Sequence, residues 1–332
     1  MGRWISHRIV FLAGITLLAL TTLLSEGWAA QGSFERTMKV TGPVELEVTT
    51  GSGNIEVRTG DAATVRVRGI IRVHNRSGWS VNDESARRKI QRIEDNPPIQ
   101  QNGNFIRIGR LEDSELRRTV EISYELQVPV ETRLRSDTGS GDQTIAGLRG
   151  PVKGSTGSGN LKVSGIADET HVDTGSGDVE LNAIKGAVYA ETGSGNIRAT
   201  GVAGAIRAHT GSGDVRLEQT SEEPVKADTG SGNVEVSGVR GSLRASTGSG
   251  NIIAQGEPRG DWKLDTGSGN ITMRVPPSAN FSLYAHTGSG SVNTTLPITV
   301  TGKVGGHELR GKVGTGGPLV DIGTGSGDIH IE

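Results

Sequence analysis

The chain has 332 residues, of which 51 are glycine, only 3% are aromatic and none is cysteine. That composition fits neither an ordinary enzyme nor an ordinary β-sandwich, and the missing cysteine excludes disulfides, thiolate metal sites, a cysteine nucleophile and a lipidated N-terminal cysteine. Lys and Arg number 35 against 37 Asp and Glu, a formal charge of -2; there is no bulk pull toward nucleic acid or a membrane surface, and a charged partner must be met by local patches.

Arg3, His7 and Arg8 precede an apolar run over residues 9–24. This is a secretory signal pattern, and cleavage after Ala29 places Gly27 and Ala29 at the small-residue positions. Residues 1–29 are therefore expected to be a signal peptide. The mature chain would start at Ala30, exported to the periplasm, the cell surface or the medium, with no membrane span left after cleavage.

Residues 30–74 read as N-terminal solenoid strands carrying an early copy of a turn motif at Thr50. Residues 75–118 read as an insertion. In it Asn82 caps a helix running to about Arg92, with Ala86, Ile90 and Ile93 on one face and Pro97 and Pro98 as the stop. That helix is expected to act as a lid or cap. Strands are predicted to resume at 104–108 and at 119–128, the second feeding into Leu134 and the first regular rung.

Thr-Gly-Ser-Gly recurs at Thr50, Thr138, Thr156, Thr174, Thr192, Thr210, Thr229, Thr247, Thr266, Thr287 and Thr324. From Thr138 to Thr266 the steps are 18, 18, 18, 18, 19, 18 and 19 residues, the length of one solenoid coil and too short for a helical repeat. Four residues before each Thr the column reads Leu134, Val152, Thr170, Val188, Ile206, Val225, Leu243 and Trp262, with mostly Ala two before it. Five and seven after it come pairs such as Leu161 and Val163, or Val215 and Leu217. This alternation gives two strands per rung, and a further apolar column, Leu148, Ile166, Ile184, Val202 and Val239, precedes a second glycine turn.

One rung buries too few apolar side chains to offset the ordering of its own backbone, so rungs must stack. Residues 119–275 are thus expected to form a regular parallel β-solenoid, right-handed because parallel crossovers are almost always so. Residues 276–332 read as C-terminal rungs and a cap, with a hairpin-like segment over 302–320. The fold class is all-β, a single parallel β-solenoid with 18-19-residue rungs. The Asn or Asp after each Gly-Ser-Gly is expected to bond its own turn.

The sequence resembles the bacterial DUF4097 family of candidate adhesins, related to the DUF2807 autotransporter-adhesin-head group. The likeness is carried by residues 120–134 running into Asp137, Thr138, Gly139, Ser140, Gly141 and Asp142, by the repeated turns, and by Gly314, Thr315, Gly316, Gly317, Pro318 and Leu319 before the last copy. The resemblance implies an exported β-solenoid with an adhesin role and no catalytic residues.

Calcium β-rolls place Asp two residues past a turn glycine, where this chain has Val179, Ile197 and Val215; no metal site and no cofactor is expected. His171, His209 and His286 fall in different rungs, on outward positions shared with Asp, Ser and Tyr, which argues against a catalytic histidine. Three before each Thr stands an outward column that includes Lys153, Tyr189, Arg207, Lys226, Arg244, Lys263 and Tyr284. These seven are the candidate binding residues, a track of charged and aromatic groups for an anionic chain. Beside them runs a column with Asp137, Asp173, Glu191, Asp228 and Asp265, which would make the same surface an ion-paired one. The function expected is an exported envelope or cell-surface binding or scaffold protein, non-catalytic, whose partner is an envelope polymer or a surface protein and not nucleic acid. A polysaccharide-active β-helix enzyme and an accessory module of envelope signalling or assembly are the alternatives.

Overall fold

The computed structural model describes residues 30–73, 84–300 and 306–332; the expected signal peptide, Asn82 and part of the expected hairpin lie outside the described residues. Among these the chain forms a parallel β-solenoid flattened between a 15-stranded and a 14-stranded sheet. Strands preceding the Thr-Gly-Ser-Gly turn build the first sheet and strands following it build the second. In the Thr192 rung these are Val188–Thr192 and Ile197–Val202, whose buried apolar positions are Val188, Ala190, Ile197, Ala199 and Val202, with Thr192 buried beside them.

Stacking keeps the sequence columns in register. Val152 pairs with Leu134 on one side and Thr170 on the other, and Thr156 pairs with Thr138 and Thr174. The 19-residue steps are absorbed at the second turn, where the register shifts between Ala199 and Val202 and between Val236 and Val239. Trp262, fully buried, satisfies its indole N–H on the Gly241 carbonyl at 3.0 Å.

Two side-chain ladders run along the turn edge. At Thr50 the turn hydroxyl donates to the Ile122 carbonyl, and in the other turn copies it donates to a glycine carbonyl of the neighbouring rung, as Thr174 does to Gly159 and Thr192 to Gly177, both at 2.9 Å. The same hydroxyl accepts a glycine N–H of its own turn, Gly195 to Thr192 at 3.1 Å, so one side chain both shapes its turn and ties it to the next. The Asn and Asp side chains do not bond their own turns. Each Oδ1 accepts the backbone N–H of the equivalent residue one rung along: Asn54 from Asp142, Asp142 from Asn160, Asn160 from Asp178, and Asp178 from Asn196, at 2.7–3.0 Å. A parallel stack puts the next rung's amide directly above the carboxylate or amide oxygen, closer than the residue's own turn.

The rungs at both ends are out of chain order. The Thr50 rung, strands Val44–Thr50 and Ile55–Thr59, sits directly against the Thr138 rung. Its other side carries Phe105–Ile108 and Val120–Val128. The strand expected to lead straight into the first regular rung therefore lies one level below the Thr50 rung, and the chain steps over that rung to reach Thr132–Thr138. The C-terminus repeats the device. Leu319–Ser326 pairs with Trp262–Ser268 on one side and Phe281–Ser289 on the other, while Ile329–Ile331 lies between Ile271–Arg274 and Val292–Thr294.

Antiparallel strands finish each end. Ala30–Lys39 pairs with Thr64–Val73, which pairs with Val120–Val128. Helix α1, Glu84–Asp95, buries Ala86, Ile90 and Ile93 against this edge, and Glu94 accepts the Ser33 N–H at 2.9 Å. Gly32 permits the approach, since a Cβ there would run into Ile90. A second short helix, α2 (Ser114–Thr119), not foreseen in the sequence, is capped by Asp113 on the Glu115 and Leu116 amides. At the other end Ile298–Val300 and Glu308–Val313 form the hairpin, the latter strand also pairing with Phe281–Ser289. The hairpin thus starts earlier than residue 302 and ends before Leu319, which belongs to a parallel rung.

Candidate functional site

The outward face of the 15-stranded sheet carries the candidate column. Cross-strand register places Arg135, Lys153, His171, Tyr189, Arg207, Lys226, Arg244 and Lys263 in one unbroken row. The next position is Asp321, contributed by the interposed C-terminal rung, and only then Tyr284. Tyr284, expected as a member of the row, is therefore separated from Lys263 by a carboxylate. Its ring is occupied by the Arg310 guanidinium at 4.3 Å and by a stacked His286 at 5.2 Å. Asp321 could not be foreseen, because it stands 58 residues after Lys263.

The neighbouring column reads Asp137, Ser155, Asp173, Glu191, His209, Asp228, Ser246 and Asp265, and it decides which cations are free. Where it offers a carboxylate within the same rung, the cation is taken: Arg135 pairs with Asp137 at 3.0 Å, Lys226 with Asp228 at 3.0 Å, and Lys263 with Asp265 at 3.5 Å and Asp321 at 3.6 Å. Lys153, Arg207 and Arg244 face Ser155, His209 and Ser246 in their rungs, and among the described residues they make no ion pair. All three are exposed.

Two shallow grooves flank the row. One, of about 210 Å³, lies toward the acidic column and is lined by His171, Tyr189, Glu191, Arg207, His209, Lys226 and Asp228. The other, of about 410 Å³, lies on the far side, where Ala205, Pro224, Ser242 and Asp261 border Tyr189, Arg207, Lys226, Arg244 and Lys263. His171 and Tyr189 stack ring on ring at 5.1 Å, so one face of Tyr189 is covered. His209 sits between Glu191 and Asp228 across the strands. His171, His209 and His286 are not brought together, and no three His, Asp or Glu among the described residues gather as metal ligands would. A separate cavity of about 340 Å³ beside α1 holds Arg92 and Arg107, both already paired, with Asp113 at 2.8 Å and Glu47 at 2.7 Å.

No helix among the described residues is long and apolar enough to cross a membrane. No curated protein matches the chain. Similar solved structures include two with adhesion-related descriptions. One is described as a candidate cell adhesion protein from Clostridium sporogenes, 14% identical, with 90% of this chain and 99% of that chain covered and a TM-score of 0.22. The other is a candidate adhesin from Bacteroides fragilis, 10% identical, with 92% and 99% covered and a TM-score of 0.28. Residues 186–332, from the Thr192 rung to the interposed C-terminal rung, match the model of the family described as Toastrack DUF4097, and it is to this family that the chain is similar.

Proposed function

We propose that this is an exported, non-catalytic binding protein of the cell envelope or surface, an adhesin-type scaffold that holds an extended anionic polymer along the row from Lys153 to Lys263. The observation that carries the reading is the pair of unpaired guanidinium groups, Arg207 and Arg244, on either side of Lys226 in one groove. The row itself repeats at rung spacing, about 4.8 Å, with the two guanidinium groups on alternate rungs, so a linear ligand meets donors at regular intervals and weak contacts add through effective concentration. The side chains point away from the core, and replacing them leaves the ladders intact.

The test is the mature chain from Ala30 carrying Arg207→Glu, Lys226→Glu and Arg244→Glu together. The wild type is expected to bind an envelope fraction with an affinity that falls steeply as salt is added. The triple variant is expected to melt near the wild-type temperature and to lose that binding. Full retention of binding by a folded triple variant would refute the row as the binding face.

A further inference from the structure

Resting on the reading that this row binds an anionic polymer, we infer that the row is matched to a polysaccharide with one acidic group per disaccharide rather than one per sugar. The free cations do not recur at every rung. Arg207 is flanked by Ala205 and His209 and Arg244 by Ser242 and Ser246, so neither rung carries a carboxylate beside its arginine. The rung between them carries Asp228, which takes Lys226 at 3.0 Å. The next rung carries both Asp261 and Asp265, the latter 3.5 Å from Lys263. Charge available to a ligand therefore alternates, free at Arg207, satisfied at Lys226, free at Arg244, satisfied at Lys263. Two free guanidinium groups lie two rungs apart, roughly 9.6 Å at the usual strand spacing.

That spacing discriminates between chains. An extended peptide presents same-face side chains about every 6.7 Å, which fits neither one rung nor two. A polyproline II helix repeats about every 9.3 Å, but such ligands are held by proline rings lodged in aromatic-lined grooves. Here the groove has one aromatic, Tyr189, with a face already on His171. A pyranose in an extended chain advances by close to one rung, so two sugars span the interval from Arg207 to Arg244. The sugar between them needs no charge and meets a lysine whose partner, Asp228, is already in place and itself accepts the Ser246 hydroxyl.

The experiment measures binding at low salt of hyaluronan oligosaccharides, with one carboxylate per disaccharide, and oligogalacturonates of the same number of sugars, with one per sugar. A repeating Glu-Pro-Pro peptide is the third probe. The wild type is expected to bind hyaluronan at least as tightly as oligogalacturonate despite half the charge. Asp228→Asn releases Lys226 and makes three consecutive free cations, and it should shift preference toward oligogalacturonate by roughly two- to fivefold, the scale of one exposed charge contact. A wild-type ranking by charge density alone, an equal gain for both sugars in Asp228→Asn, or a peptide that outcompetes hyaluronan would overturn the inference while leaving an anion-binding row. If none of the probes and no envelope fraction binds, the anion-binding reading itself is overturned.

Discussion

The carboxylate of Asp178 accepts both the backbone N–H of Asn196, at 2.7 Å, and its side-chain amide, at 3.1 Å, across the gap between two rungs. The Asn and Asp column is therefore a chain of inter-rung bonds in which Asn supplies an extra donor and keeps carboxylates from meeting. In Asn160→Asp combined with Asn196→Asp, the residues from Asp142 to Asp214 become five stacked carboxylates, each still able to accept. Neighbours at rung distance repel by about 1 kcal/mol even in a water-like dielectric. The double variant is expected to melt below wild type in low salt and to recover part of the difference in high salt; equal melting temperatures in low salt would contradict the ladder.

Glycines in the two turns are required for different reasons. At Gly177 an added Cβ would collide with the Gly159 carbonyl of the rung below, whereas at Gly165, with φ +65°, a Cβ would only touch the Gly147 backbone at ordinary contact distance and the difficulty is conformational. Ala183 occupies the position equivalent to Gly165 at φ 54°, a natural example of the strain being tolerated. Gly165→Ala should cost about 1–2 kcal/mol. Gly177→Ala should cost at least about 3 kcal/mol or prevent folding, because neither backbone can yield without breaking the stack. Urea unfolding of the pair measures the order.

Tyr124 is 1% exposed and its buried hydroxyl has no hydrogen-bond partner among the described residues. Burial also pushes its phenol pKa upward. Tyr124→Phe removes an unsatisfied polar group and keeps the ring against Phe34, 6.4 Å away in an edge arrangement. A gain of about 1 kcal/mol is expected, read as a higher melting temperature. A loss would mean that the hydroxyl has a partner in solution.

Asp328 anchors the interposed C-terminal rung. Its carboxylate accepts the Ser291 hydroxyl at 2.9 Å and the Ser291 amide at 2.8 Å, and these bonds, with His330 adding, hold its pKa below the usual carboxylate value. Because the folded pKa is the lower one, the contribution is fully present above the unfolded value and is lost as pH falls through the folded value. Asp328→Ala should therefore lower the melting temperature at neutral pH, and its difference from wild type should shrink once the pH drops below the usual carboxylate range. A difference that does not change with pH would show that the carboxylate is not the anchor.

The regular array was legible from the residues because every rung poses the same steric problem. Leu134, Val152 and Thr170 align in the sequence columns as they pair in the sheet, and Ala86, Ile90 and Ile93 mark the buried helix face. The end order was not legible. A repeat that fits any rung carries no address, so nothing in Thr287 or Thr324 says which lies nearer Thr266. The same gap hid Asp321 and left Tyr284 on the row. The free cations were not foreseen either: the acidic column was expected to make the whole surface ion-paired, and only the pairs actually formed show that Lys153, Arg207 and Arg244 go without a carboxylate beside Ser155, His209 and Ser246.

The steps at the two ends also set a timetable. A solenoid built by adding coils in chain order could close behind the advancing chain, but here the Thr50 strands need residues 105–128 on one side and 132–146 on the other before they are enclosed. The gap above the Thr266 rung is filled only by the last fourteen residues, 319–332. A chain emerging amino end first cannot complete this stack until residues 319–332 have emerged. Once complete, neither the Thr50 rung nor the last strands can peel away as an edge would, because each is held by a neighbour above and below. The stack is shut as a parcel is by tucked-in flaps, and loosening either inserted rung requires prying apart coils rather than peeling away an edge.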